Sequence, residues 1–123
     1  MSQTNELEIM ERIALDLEGV EESLASSFNT GAEDFNALIR PLSAAGGKRL
    51  RAQLCLLIAN AGTSVERQRI RIAEAVEMLH LATLIHDDVL DQAEIRRGED
   101  TIHMHKGNKV AILSGDYLFA KAF

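Results

Sequence analysis

From Ala75 to Ile85 the chain reads AVEMLHLATLI, apolar on nearly every side when wound into a helix. A helix of that kind has to be surrounded, so the remaining segments must pack around it as further helices. The same run then meets Asp87, Asp88 and Asp91. Acids at the C-terminal end of a helix face the negative pole of its macrodipole, which disfavours each of them. Three together call for a compensating cation, and a bound metal is the first candidate.

Helices to surround the run are legible on either side of it. Residues 5 to 25 place Met10, Ile13, Ala14, Leu17, Val20 and Leu24 three and four apart. Glu6, Glu8, Glu11, Asp16, Glu18, Glu21 and Glu22 form an acidic, solvated face. Ser26 to Gly31 breaks that helix. Thr30 and Glu33 have capping-box spacing before a second stripe (Phe35, Leu38, Ile39, Leu42), which Pro41 should kink or end. A third helix is expected from Lys48 to Ala61, with Gly62 as its stop. Thr63 and Glu66 suggest a second capping box, opening the long helix that reaches Asp91. Its first turns are charged through Arg67, Arg69, Arg71, Glu74 and Glu77. A loop from Gln92 to Asn108 and a fifth helix from Lys109 complete the reading. The expected fold is all-α, five helices with a central buried one. The last segment, VAILSGDYLFAKAF, is apolar and lacks a terminator, so the reading is of an incomplete fold, completed by further sequence or by another chain.

Composition narrows the function. With 123 residues there is room for one domain, and a net charge of −6 excludes the basic footprint of a general nucleic-acid binder. Aromatic residues make up only 4% and do not interleave with Lys or Arg, which leaves single-stranded binding without stacking platforms. Cys55 stands alone in an apolar run, so it reads as a buried, inert thiol. No apolar run approaches a membrane span and no signal peptide is visible, making a cytoplasmic protein the expectation.

Chemistry concentrates in three places. Asp87 and Asp91 lie about 40° apart and one turn along, so both carboxylates reach one point, while Asp88 is offset by about 100°. Hard carboxylate oxygens without thiols favour magnesium, whose remaining shell is usually water and substrate phosphate. The competing reading is a solvated helix end. Gly46-Gly47 before Lys48-Arg49-Leu50-Arg51 is a candidate anion site at a helix start. Lys48 and Arg51 are about 60° apart and Arg49 points away, so the first two are the expected ligands; a C-cap followed by surface bases is the alternative. Arg96 and Arg97 can each grip an oxyanion, or can neutralise the aspartates instead. His80 shares the direction of Asp87 within about 20°, as a ligand or as a core histidine. His86, His103 and His105 are weaker candidates.

Taken together, GGKRLR, EMLHLATLIHDDVLDQAEIRRGEDT and GNKVAILSGDYLFAKAF resemble the trans-isoprenyl diphosphate synthases, the polyprenyl synthetases, from about residue 35 onward. The resemblance implies a helical fold around a central cavity and elongation of an allylic diphosphate by isopentenyl diphosphate. Loss of the allylic diphosphate leaves a carbocation that the second substrate's double bond attacks before a proton departs. By motif, Asp87 and Asp91 would hold magnesium on the allylic diphosphate, with Asp88 in the same acidic motif. Arg96 would contact that diphosphate, and Lys48, Arg51, His80 and Arg97 would bind isopentenyl diphosphate. Where shorter-chain members carry bulky aromatics before the acids, this chain has Ala82 and Thr83, with Leu79 a turn deeper. That implies a medium- or long-chain product, and helix geometry favours Thr83 over Ala82. Ala52 and Asp100 stand where the family often has proline. No second aspartate-rich motif occurs in these residues, so the expectation is an N-terminal part of a polyprenyl synthetase domain, not competent alone. Two alternatives remain open: a subunit of a two-chain synthase, and a non-catalytic helical association module; a homo-oligomer or a complementing chain is the expected partner.

Overall fold

The central run is part of a 25-residue helix, α4 (Glu66–Leu90), and the other elements are arranged along it. The computed structural model describes residues 3–123. In chain order come α1 (Gln3–Ser27), α2 (Glu33–Ala44), α3 (Leu50–Asn60), α4, a two-stranded ribbon β1 (Ile95–Arg96) and β2 (Glu99–Asp100), α5 (Ile102–Lys106) and α6 (Asn108–Ala122). Helix α4 packs against α6, α3 and α1.

Its buried residues, Ala73, Glu74, Glu77, Met78, Leu81, Ala82, Ile85 and Asp88, recur at three and four. They meet Val20, Leu24 and Phe28 of α1, Ile39 of α2, Leu56 of α3 and Ala111 and Leu118 of α6. Each large side chain among these contributes about 1.5–3 kcal/mol on burial. Helices α4 and α6 make a close contact where Gly115 sits against the ring of His86, since a Cβ there would collide with the imidazole. His86 then donates from Nε2 to the Ile112 carbonyl at 3.0 Å, so it joins two helices. Tyr117 of α6 stacks on Phe35 of α2 at 5.4 Å between centroids and donates to Asn36 Oδ1 at 3.0 Å.

Several local expectations are corrected. Neither capping box forms: the N-caps are Ala32 and Val65, and no side chain caps either helix. The Thr30 carbonyl instead accepts from the Asn36 amide and the Lys121 ammonium, so tertiary bonds fix that corner. Helix α2 runs on through Pro41 to Ala44, because the carbonyl that proline leaves unbonded belongs to the exposed turn at Ala37. The acidic face of α1 is not wholly solvated: Asp16 is buried and bonded to Arg69 at 3.1 Å. Met10 is 66% exposed, so the first half of α1 contributes little to the core. Cys55 is half-buried against the core. The stretch from Gln92 to Asn108 is not a plain loop but the ribbon and α5, giving six helices among the described residues rather than five. Its turn, Arg97-Gly98, has φ of 52° and 82°, the paired positive values of a type I′ hairpin, without the Asn-Gly or Asp-Gly that usually announces one. No helix among the described residues is long and apolar enough to cross a membrane.

Candidate functional site

The acidic end of α4 is shaped by how the helix stops. Gln92 adopts φ 53° and donates to the Val89 carbonyl at 3.2 Å, while Ala93 donates to the Asp88 carbonyl at 2.9 Å. These are the two bonds of a Schellman motif, formed here around Gln rather than Gly. The chain is turned back on itself, and eight residues after Asp88 the Arg96 side chain reaches it. Arg96 Nε lies 3.0 and 2.9 Å from the two Asp88 oxygens, and Nη2 lies 2.6 Å from Oδ1. Bonding to Asp88, reinforced by the charges of Asp87 and Asp91, raises the Arg96 pKa above its ordinary range. Asp88 is 5% exposed.

Asp87 and Asp91 are different. Both are exposed, and neither carboxylate has a hydrogen bond or ion pair among the described residues. They are stacked one turn apart, with Asp91 N–H donating to the Asp87 carbonyl at 2.8 Å. The described residues hold no group of three or more His, Cys, Asp or Glu side chains that would enclose a metal ion. Two free hard carboxylates are a donor set that suits magnesium completing its shell with water and phosphate oxygens, and does not suit an all-protein cage.

The basic residues gather beside this end of α4. His80 is partly buried, and its pKa lies below the usual 6.5 through burial first and then the Arg51 charge, with further lowering by Arg97 and Arg96; Glu77 opposes this. Arg51, Arg96 and Arg97 thus all lie within electrostatic reach of one imidazole. Arg97 donates from Nη1 to the Ala45 carbonyl, and its Nη2 lies 3.7 Å from where a Cβ on Gly47 would be. Gly47 has φ 71°, which an L side chain rarely adopts. Gly46 is required by Arg49, whose guanidinium fills the space of a Cβ. Helix α3 begins at Leu50, so Lys48 precedes it, exposed; Arg51, on the first turn, is exposed too.

Arg49, between them, is 4% exposed and bonded to Glu21 at 2.6 Å, with Glu77 at 3.7 Å and the Ser43 carbonyl as further partners. Glu77 and Glu21 were not distinguished by the sequence reading, which placed Glu77 among the charged first turns of the long helix. The available signal was periodicity, since Ala73, Glu77, Leu81 and Ile85 are four apart on one stripe. Among the chain-length positions, Thr83 is exposed with its hydroxyl on the His80 carbonyl at 2.7 Å, Leu79 is half-buried, and Ala82 is fully buried in the core. His103 bonds the Ala93 carbonyl and braces the turn.

Comparison with known proteins identifies the family and the fold. The polyprenyl synthetase family model matches residues 32–123. The chain is 37% identical over 120 residues to solanesyl diphosphate synthase 1, chloroplastic, of Arabidopsis thaliana, covering 93% of this chain and 30% of that protein. It is 41% identical over 108 residues to heptaprenyl diphosphate synthase component 2 of Geobacillus stearothermophilus, covering 87% and 33%. Among solved structures, a polyprenyl synthase from Caulobacter crescentus CB15, complexed with calcium and isoprenyl diphosphate, superposes with a TM-score of 0.84 at 37% identity, covering 94% and 35%. The chain thus spans about a third of the length of the relatives it matches.

Proposed function

The chain belongs to the polyprenyl synthetase family, and from that membership and its charged end we propose that it supplies part of the active site for prenyl transfer. In this reading isopentenyl diphosphate condenses with an allylic diphosphate to give a polyprenyl diphosphate. The observation that carries it is the convergence of Arg51, His80, Arg96 and Arg97 beside two unpaired carboxylates at one end of α4.

Asp87 and Asp91 would hold magnesium, which when bound supplies positive charge to a departing diphosphate. Asp88 contributes by anchoring Arg96. With Nε and Nη2 on Asp88, the Nη1 edge of Arg96 is left to meet the allylic diphosphate. Lys48, Arg51, His80 and Arg97 take the diphosphate of isopentenyl diphosphate, with guanidinium forks fixing its orientation. Their preset charge stabilises the leaving group without reorganisation. The open stripe through Thr83 and Leu79 leads from the acids along α4 and is free of aromatics, which favours a medium- or long-chain product.

A second reading within the same chemistry is a subunit of a two-chain synthase. It is favoured by the relative named as component 2 and by the exposed row Leu50, Leu54, Leu57 and Ile58 on α3. Residues 1–123 would then be the N-terminal part of the polyprenyl synthetase domain, with the second aspartate-rich motif supplied elsewhere.

The test is magnesium-dependent binding of an allylic diphosphate, by calorimetry, to the assembly that shows prenyl transfer. Replacing Asp87 and Asp91 with Ala should abolish it, and unchanged binding would refute the assignment. Robust turnover by the 123-residue chain alone would refute the need for a complement.

A further inference from the structure

Glu77 is an acid on a buried stripe, with 2% of its side chain exposed. A carboxylate taken that far from water is costly unless its oxygens are paired. Both are. Oε1 accepts the Ala52 N–H at 3.0 Å, and Oε2 lies 3.7 Å from Arg49 Nη1. Ala52 is the third residue of α3, and its amide belongs to the first turn, where no intrahelical acceptor exists. The N-cap residue, Arg49, offers no side-chain cap of its own. The acceptor that α3 lacks is therefore reached across from α4.

Arg49 extends the arrangement. Its guanidinium bonds Glu21 of α1 through Nε and Nη2, and the Ser43 carbonyl near the end of α2 through Nη2. One cluster, buried at Arg49 and Glu77 and open at Glu21, thus ties four helices at the point where α3 starts. A well-packed apolar group in its place would hold the helices together as firmly or more so, since buried ion pairs add little net stability. What directional bonds supply, and packing does not, is a fixed register. That register matters here because Lys48 and Arg51 flank Arg49 in sequence, and His80 lies one turn beyond Glu77 on α4.

We propose that Glu77, through the Ala52 amide and Arg49, is a positioning residue that sets the start of α3 so that Lys48 and Arg51 converge with His80 and Arg97 on one diphosphate. It touches no substrate itself. The inference rests on the diphosphate reading of the basic cluster given above.

The experiment is calorimetric binding of inorganic pyrophosphate to this chain without magnesium, in the unsubstituted protein and in Arg51→Ala, Glu77→Leu, Glu77→Gln and Glu77→Asp. Hydrogen exchange at the Ala52 amide is read alongside. The Leu variant should weaken binding at least tenfold and lose protection at Ala52. The Gln variant, which keeps a carbonyl acceptor, should retain that protection and bind within threefold of the parent. The Asp variant keeps the charge but falls short by one bond length, and should weaken binding at least threefold; it decides the matter should Glu77→Leu fail to fold. Binding that is lost in Arg51→Ala yet unchanged in the Leu or Asp variant overturns this inference alone. A Gln variant as weak as Leu also overturns it, because rescue is then absent. A parent chain that binds no pyrophosphate overturns the diphosphate reading and this inference with it.

Discussion

The basic segment around Arg49 and the acidic segment around Asp88 solve one problem in two ways. Each places a charged residue among like neighbours, buries that one, and leaves those flanking it exposed: Arg49 between Lys48 and Arg51, Asp88 between Asp87 and Asp91. The partners differ. Arg49 is held by residues 28 positions away on either side, Glu21 on α1 and Glu77 on α4, so its bonds join distant helices. Asp88 is held by Arg96, eight residues on, so its bond shapes one local turn. The same device therefore serves global register in one place and local shape in the other.

That contrast can be broken by mutation, and the largest effect should come from the basic segment. Arg49→Met leaves Glu77 buried without its cation, and truncating one partner of a buried pair costs about 3–5 kcal/mol; urea unfolding should show a loss in that range across the whole transition. Asp88→Asn should cost less, about 1.5–3 kcal/mol as charge-assisted bonds are lost, because Arg96 can turn to solvent. If the acidic turn is as local as its bonds imply, hydrogen exchange after that substitution will rise in the ribbon and spare α1. An equal loss in the two variants would erase the distinction.

Smaller effects sharpen it with opposite sign. Asp87→Asn and Asp91→Asn remove acids from the negative helix end, a gain that outweighs their weak attraction to Arg96, so each should stabilise by less than about 1 kcal/mol while weakening metal-dependent diphosphate binding. A thermal melt that falls for both would mean they are structural acids like Asp88. The smallest effect belongs to His80, faced by Arg51, Glu77, Arg97 and Arg96. Its folded pKa is lowered below 6.5, so the unfolded chain binds the proton more readily. Stability from this group is complete above pH 6.5 and declines as pH falls through the lower folded value. Urea midpoints at about pH 7.5 and about pH 5.5 should separate more in the parent than in His80→Asn, with both values inside the histidine range. A bound diphosphate should reverse the sign by favouring the imidazolium.

Much of this was legible in the residues. The helical class and the long central helix follow from periodicity and spacing, because side-chain direction on a helix is nearly fixed by position; that the basic helix start belongs with the acids came only from the family resemblance. The offset of Asp88 from Asp87 was visible in that geometry, although its partner was not. What stayed hidden depends on contacts between segments far apart in sequence. Glu77 and Asp16 look like surface acids until Arg49 and Arg69 are brought to them by the packing of other helices. The helix starts at Glu33 and Glu66 were misread for a related reason: capping-box spacing is satisfied, yet Lys121 holds the Thr30 carbonyl at the first corner and Arg69 joins Ser64 to Asp16 at the second. The ribbon was missed because two residues per strand give no alternation to detect, and an Arg-Gly turn is not a usual hairpin signal.

The ribbon's tip also joins two places. Arg96 is committed to the acidic end of α4 and Arg97 to the carbonyl before the paired glycines, yet consecutive Cα atoms are only about 3.8 Å apart. A shift of the ribbon therefore pulls on both attachments at once. In effect the turn is a clasp, closed across one peptide unit between the end of α4 and the Gly46-Gly47 segment.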